Sequence, residues 1–253
     1  MEFFDSHSHY NDEKFDVDRK NIIEENYKKG VTKLVCAGYS LDSSKQAIKL
    51  STEYDHMYAT CGISPNDIGE DVDNQIKEIE RIAEIDKVVA IGEIGLDYYW
   101  NKDNKEKQKE VFIKQIQIAN KLNLPIVIHT RDAIMDTLEI LKKNNINKKG
   151  VFHCCPLNIE LVKEALKLGF YISFSGNITF KNAKPDEIIK IVPLDKILIE
   201  TDCPYLSPEP NRGKRNDSSN LIYMADKIAK VKNIKIEEIA KITYENAKKI
   251  FEI

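Results

Sequence analysis

Phe3-Phe4-Asp5-Ser6-His7-Ser8-His9 opens the chain, and its reading decides the rest. Two aromatics followed by two histidines one residue apart have the pattern of a buried β-strand and its end. Side chains alternate along a strand, so residues two apart share a face. His7 and His9 therefore converge on one point, as a metal site requires. A His-x-His pair alone is a weak signal. Scarcity strengthens it, because the chain has only five histidines. Two of the others, His129 and His153, also follow short apolar runs.

Working outward, further strand-like segments read as Thr32 to Ala37, Met57 to Gly62, Val88 to Glu93 and Pro125 to His129. Gly150 to His153, Phe170 to Ser175 and Lys196 to Glu200 complete a set that begins with Glu2 to His7. Amphipathic stretches such as Lys105 to Leu122 and Asp132 to Asn144 lie between them, with Ile and Leu at helical spacing. Eight β signals alternating with helices indicate a parallel sheet of βαβ units. Strand ends recur every 28 residues or so, close to the roughly 30 per unit of a ~250-residue barrel. An open doubly wound sheet is the competing arrangement. The barrel is preferred because polar, ligand-type residues end strands from both halves of the chain, and closure alone brings those ends together. The expectation is a TIM-type (β/α)8 barrel, a single domain over residues 1–253, with its site at the C-terminal ends of the strands.

Composition fits this reading. Of 253 residues, 42% are hydrophobic and 31% charged, which suits a globule and not a disordered chain. No apolar run is long enough to span a membrane, and no secretory signal is expected from the acidic, strand-forming N-terminus. The net charge of -3 removes any argument for a whole-surface nucleic-acid binder. It leaves room for a local one, since bound cations and a basic loop offset phosphate charge. Five cysteines without repeated spacing speak against a disulfide framework and for a reducing compartment, the cytoplasm.

Strand-end residues able to bind metal are His7, His9, Glu93, His129, His153 and Asp202. Four imidazoles and two carboxylates exceed what one ion needs, because a catalytic zinc takes three protein ligands. A bridging carboxylate between two divalent ions, magnesium, manganese or zinc, is the economical arrangement. Glu93 follows an apolar run, where an unpaired carboxylate would be costly. Glu200 shares a face with Asp202 by the period of two; it reads as a supporting partner or an auxiliary ligand and stays outside the six. His56 falls at the opposite end of the barrel and reads as a surface residue. Cys154 and Cys203 directly follow His153 and Asp202, so strand alternation turns them away from the site.

After Asp202 the pattern changes. Cys203 to Pro210 holds three prolines and cannot be helical. Asn211-Arg212-Gly213-Lys214-Arg215-Asn216 reads as a flexible loop with three cations. Two helical stretches follow, Ser219 to Val231 and Ile236 to Phe251.

Several segments together resemble the TatD-related metal-dependent hydrolases. They are Asp5 to His9, Gly92-Glu93-Ile94-Gly95-Leu96-Asp97-Tyr98-Tyr99, Ile128-His129-Thr130-Arg131-Asp132-Ala133 and Glu200-Thr201-Asp202-Cys203-Pro204-Tyr205-Leu206. Ser173 to Phe180 and the Pro210 to Asn216 loop are also similar to that family. The resemblance implies a TIM-barrel metallohydrolase, commonly a deoxyribonuclease. It implies one ion at His7, His9, Glu93 and Asp202 and a second at Glu93, His129 and His153. Gly62-Ile63-Ser64-Pro65-Asn66 departs from the family's histidine-bearing segment. His153-Cys154-Cys155-Pro156-Leu157 and Asn216-Asp217-Ser218 depart from its usual loops. None of these departures removes an expected ligand.

The expected chemistry is hydrolysis of DNA phosphodiesters, with Glu93 and Asp202 as the catalytic carboxylates and Asp202 taking the proton of the attacking water. Arg212, Lys214 and Arg215 are candidates to hold flanking phosphates. Tyr98, with Tyr99 and Trp100, is a candidate to stack on bases. A monomer acting on DNA, with RNA or tRNA as other substrates, is expected. The competitors are a deacylase or amidohydrolase acting on an ester or amide such as D-aminoacyl-tRNA, and a non-enzymatic metal-dependent nucleic-acid-binding protein.

Overall fold

A computed structural model describes all residues 1–253, and its strands form one eight-stranded parallel sheet in sequential order. The strands are β1 (Phe3–Ser8), β2 (Val31–Ala37), β3 (Met57–Cys61), β4 (Val88–Asp97), β5 (Ile126–Arg131), β6 (Gly150–Phe152), β7 (Tyr171–Phe174) and β8 (Ile197–Ile199). The connecting helices are α1 (Arg19–Lys28), α2 (Leu41–Glu53), α3 (Val72–Ile82), α4 (Lys105–Leu122), α5 (Ile134–Lys143), α6 (Ile159–Lys167) and α7 (Asp186–Ile191). Two more, α8 (Leu221–Lys232) and α9 (Ile236–Phe251), complete the chain. This is the expected TIM barrel, in a single domain.

Local sequence starts and stops these elements. Ser40 caps α2 by accepting from the N–H of Ser43, while the Ser43 hydroxyl faces the N–H of Ser40, a reciprocal capping box. Asp71 and Asn158 cap α3 and α6 through their side chains. Asn123 ends α4 at φ 52°, a left-handed position that asparagine tolerates.

Seven strands send side chains into a single buried cluster: Phe4, Val35, Val89 with Ala90, Val127, Val151, Tyr171 and Leu198. Ala247 and Phe251 of α9 belong to it and close the lower end of the barrel. Each large side chain removed from water here contributes about 1.5–3 kcal/mol. Two residues further along β5, β6 and β8, the same face carries His129, His153 and Glu200. The apolar layer is therefore the floor of the polar one.

The seam between β8 and β1 is closed by site residues and their immediate neighbours. Ser6 Oγ donates to the Ile199 carbonyl at 3.0 Å, and the Thr201 N–H donates to Asp5 Oδ1 at 3.0 Å. Beyond them, the Asp202 N–H reaches the His7 carbonyl at 2.9 Å and the His9 N–H the Cys203 carbonyl at 2.7 Å.

Some expected boundaries differ. β4 does not end at Glu93 but continues to Asp97, pairing Gly95 with His129, Leu96 with Thr130 and Asp97 with Arg131. Gly95 makes this possible: its φ is 142°, and a Cβ there would sit 1.9 Å from the His129 carbonyl oxygen. β6 and β8 end earlier than expected, leaving His153 and Glu200 to Asp202 just past their strands.

Candidate metal centre

All six strand-end residues meet at the C-terminal mouth of the barrel. His7, His9, Glu93 and His153 are buried, and Asp202 and His129 are partly open to solvent. Glu93 stands between two imidazole pairs. Its Oε2 is 3.4 Å from His7 Nε2 and 3.9 Å from His9 Nε2. Its Oε1 is 3.0 Å from His129 Nδ1 and 3.3 Å from His153 Nε2. Asp202 joins the first pair, with Oδ1 3.1 Å from His9 Nε2 and 3.8 Å from His7 Nε2.

Partners of the outer ring nitrogens show which nitrogen of each ring is turned toward the site. His9 Nδ1 lies 3.2 Å from the Ala37 carbonyl, which can only accept, so Nδ1 donates and Nε2 is free to ligate. His129 Nε2 lies 3.0 Å from Asp97 Oδ2 and donates to it, so Nδ1 is the nitrogen turned toward Glu93. His153 Nδ1 is 3.5 Å from Glu200 Oε1, at ion-pair distance but off hydrogen-bond geometry. Glu200 itself is held by the Cys154 N–H at 2.6 Å. Its position is that of a supporting carboxylate, one of the two roles its sequence position left open. Metal-binding histidines take such partners, which fix the ring and its tautomer.

Ring nitrogens thus face ring nitrogens. His7 Nε2 is 3.2 Å from His9 Nε2, and His129 Nδ1 is 3.2 Å from His153 Nε2. Without a shared proton or a cation, such approaches are repulsive. The donor atoms of His7, His9 and Glu93 lie within 4.8 Å of one another, as do those of Glu93, His129 and His153, and those of His7, His153 and Asp202. Nitrogen and carboxylate oxygen sets of this size fit divalent transition metals.

The electrostatics agree. Burial pushes the Glu93 carboxyl up, but His153, His129 and His7 around it outweigh burial and hold it well below the usual range. Burial likewise raises Asp202, and His9, His7 and His153 bring it below its usual value. Two neighbouring ionised carboxylates are therefore ready for cations.

The structure adds a residue absent from the expected set. Asp97, 1% exposed, supports His129 and also accepts the N–H groups of Tyr99 at 2.9 Å and Trp100 at 3.1 Å. Burial raises its carboxyl, but the hydrogen bonds from His129, the Trp100 N–H and Asn66 bring it down to about 2. A signal was there: Glu93, Gly95 and Asp97 follow the same period of two as His7 and His9.

The candidate substrate residues are placed unequally. Tyr98 is 7% exposed, donates its hydroxyl to Asp136 at 2.7 Å and has Lys105 Nζ 4.5 Å from its ring centre, so its hydroxyl and one ring face are engaged and little of it is open to a base. Arg215 is paired with Asp18 at 2.6 Å and covers Phe15. Arg212 and Lys214 are exposed, with Arg212 stacked 3.8 Å from the Phe180 ring centre. Their loop, expected to be flexible, is pinned by buried Asn216, whose side chain donates to the Thr201 and Tyr205 carbonyls. His56 is half-buried against Tyr27 and Tyr54, where a surface position was expected. All five cysteines are free, and none joins the donor clusters. No helix is long and apolar enough to cross a membrane.

Comparison with known proteins bears on the same residues. The family model described as TatD related DNase matches residues 4–252. An uncharacterized metal-dependent hydrolase of Bacillus subtilis (strain 168), YabD, is 45% identical over 252 residues, covering 99% of each chain. Another, YcfH of Escherichia coli (strain K12), is 42% identical over 203 residues, covering 79% of this chain and 76% of its own. The crystal structure of YJJV, a TatD homolog from Escherichia coli, superposes with a TM-score of 0.94 at 24% identity, covering 99% of this chain and 98% of that one. A match across nearly the whole length, over a barrel mouth built from these donors, makes the chain a metal-dependent hydrolase of the TatD family.

Proposed function

We propose that this hydrolase cleaves phosphodiester bonds in DNA, using two divalent ions that share Glu93. The observation that carries the reading is the division of Glu93: each carboxylate oxygen faces its own imidazole pair. His7, His9, Glu93 and Asp202 would hold one ion, and Glu93, His129 and His153 the other. Bound there, the ions supply Lewis acidity toward a phosphoryl oxygen and acidify water.

The chain's own residues do the rest. Asp202, ionised and reached by solvent, accepts the proton of the attacking water through its carboxylate. His9 and His7 beside it hold that carboxylate in place. Glu200 and Asp97 keep His153 and His129 turned inward. Arg212 and Lys214, exposed on the loop after β8, supply positive charge for flanking phosphates. The DNase description of the family favours DNA over other esters. The protein is taken to act as a monomer in the cytoplasm, in keeping with its five unpaired cysteines.

Parallel assays on single- and double-stranded DNA, RNA and aminoacyl-tRNA across a metal series test this. DNA cleavage that depends on metal and is lost in Asp202→Asn is expected. Deacylation of aminoacyl-tRNA without DNA cleavage would overturn the phosphodiesterase reading.

A further inference from the structure

At the edge of the same mouth, between the ends of β4 and β5, lies a group of exposed side chains that the mechanism above does not use. Tyr99 is 49% exposed and Trp100 is 69% exposed. Their rings meet edge to face at 4.9 Å. Arg131 lays its guanidinium 3.8 Å from the Tyr99 ring centre and 5.5 Å from that of Trp100. Arg131 is exposed and pairs with no carboxylate, although a cation on a protein of net charge -3 has many available.

Two large aromatics left in water forfeit burial energy, so the fold has not used them for its core. Their backbone is nevertheless fixed. Asp97 Oδ1 accepts both the Tyr99 and Trp100 N–H groups, while its Oδ2 accepts from His129 Nε2. One buried carboxylate thus sets both the orientation of a metal-facing imidazole and the position of the aromatic step. Along β5, Arg131 shares the face of His129 by the period of two. The group is in register with the reaction centre.

We infer that Tyr99, Trp100 and Arg131 form a stacking platform for an unpaired base of single-stranded nucleic acid whose adjoining phosphate enters the metal centre. The inference rests on the phosphodiester reading for its substrate class. Exposed aromatic faces accept any base, and an unpaired guanidinium stacked on one offers both a cation and a planar surface. A base in the interior of a duplex offers no free face to such a step, because both its faces are already stacked. The second tyrosine-sequence candidate, Tyr98, takes no part, since both its ring and its hydroxyl are engaged.

Trp100 is the only tryptophan in the chain, so its fluorescence reports on this platform alone. The test titrates short oligodeoxythymidylate, its ribonucleotide counterpart and a blunt duplex into the full-length protein, with and without divalent metal. The single strands should quench Trp100 emission and the duplex should do so far less. Tyr99→Ala and Arg131→Ala should each weaken single-strand binding about tenfold. Trp100→Ala, followed by anisotropy of a labelled strand, should do the same, and Trp100→Phe should restore most of the loss. A preference for the deoxy strand assigns the platform to DNA, and an equal response assigns it to any unpaired strand.

Single strands that bind without quenching, or with affinities indifferent to all three substitutions, would overturn the platform. So would a Trp100→Ala variant that turns a dimer into a monomer and leaves strand affinity unchanged, because the step would then be covered by a second copy of the chain. Cleavage is scored separately. DNA cut without quenching removes the platform and leaves the phosphodiesterase reading standing. Quenching without cleavage of any strand keeps the platform and removes that reading.

Discussion

The backbone N–H of Asp202 donates to the carbonyl of His7 at 2.9 Å, so the residue proposed to take the proton also closes the barrel against the first of the clustered histidines. Asp202 sits at φ 54°, in the left-handed region, which Asn and Asp occupy more readily than other side chains. Fold and chemistry can therefore be separated at this position. Asp202→Asn should keep the seam and the melting temperature while lowering kcat by about 10²–10⁴-fold. Asp202→Ala should show a similar loss of activity and an added destabilisation of about 1 kcal/mol from its backbone conformation. Melting curves beside turnover on DNA check both; an active Asp202→Asn would exclude the carboxylate as base.

Glu93 and His9 make a contrasting pair. Glu93 faces both imidazole sets, whereas His9 belongs to one. Glu93→Gln should weaken both ions together, and His9→Ala should remove the one held with His7 and Asp202 while sparing the other. Metal content measured after gel filtration distinguishes them. Two tightly held ions in His9→Ala would disprove the ligand division.

Asp97 offers a subtler change. Asp97→Asn keeps an oxygen for the Tyr99 and Trp100 N–H groups but removes the charge that steadies His129. Metal affinity at the set containing His129 should fall about 10–100-fold, with the other set little altered. Titration with a chromophoric chelator as competitor reads the two sites separately. Equal weakening of both would show that Asp97 acts on the fold and not on His129.

Most of the architecture was legible because periodicity carries it. The period of two in β1, β5 and β6, carried just past the ends of β1 and β6, sets His7, His9, His129 and His153 at one mouth, and closure brings Glu93 and Asp202 to them. What the sequence concealed were features set by long-range packing. β4 runs past Glu93 because Gly95 lets it approach the His129 backbone, and a glycine signals many other things in a sequence. That extension is what brings Asp97 to His129. Tyr98 and Tyr99 are adjacent and chemically alike, yet one is enclosed by Lys105 and Asp136 and the other is open. The three cations of the loop after β8 also look alike in sequence, and only the fold sets Asp18 opposite one of them.

That difference among the cations is measurable. Arg212→Ala and Lys214→Ala should weaken DNA binding and each reduce the salt slope by about one phosphate contact. Arg215→Ala should leave the slope nearly unchanged and reduce stability by at most about 1 kcal/mol, as for an exposed ion pair. Binding isotherms at several salt concentrations decide the matter; a slope change confined to Arg215→Ala would reverse the assignment.

Metal uptake should release protons, and the sign follows from the neighbours of each ring. Burial lowers the pKa of His9, His129 and His153, but carboxylates more than compensate. Asp202 and Glu93 raise His9, Asp97 and Glu93 raise His129, and Glu93 and Glu200 raise His153 well above the usual value. His7 is the exception, lowered by burial and by His153. In the metal-free protein, a raised pKa contributes stability that is fully present below about 6.5, the unfolded value, and lost as pH rises through the folded one. The metal-free melting temperature should therefore decline as pH climbs from about 6.5. Divalent ions need the neutral rings, so their affinity should rise over the same interval, with protons expelled on binding. Calorimetry of metal binding in buffers of differing ionisation enthalpy counts those protons. A heat independent of buffer near neutral pH would mean that the three imidazoles are already neutral, and that their carboxylate partners do not hold protons on them.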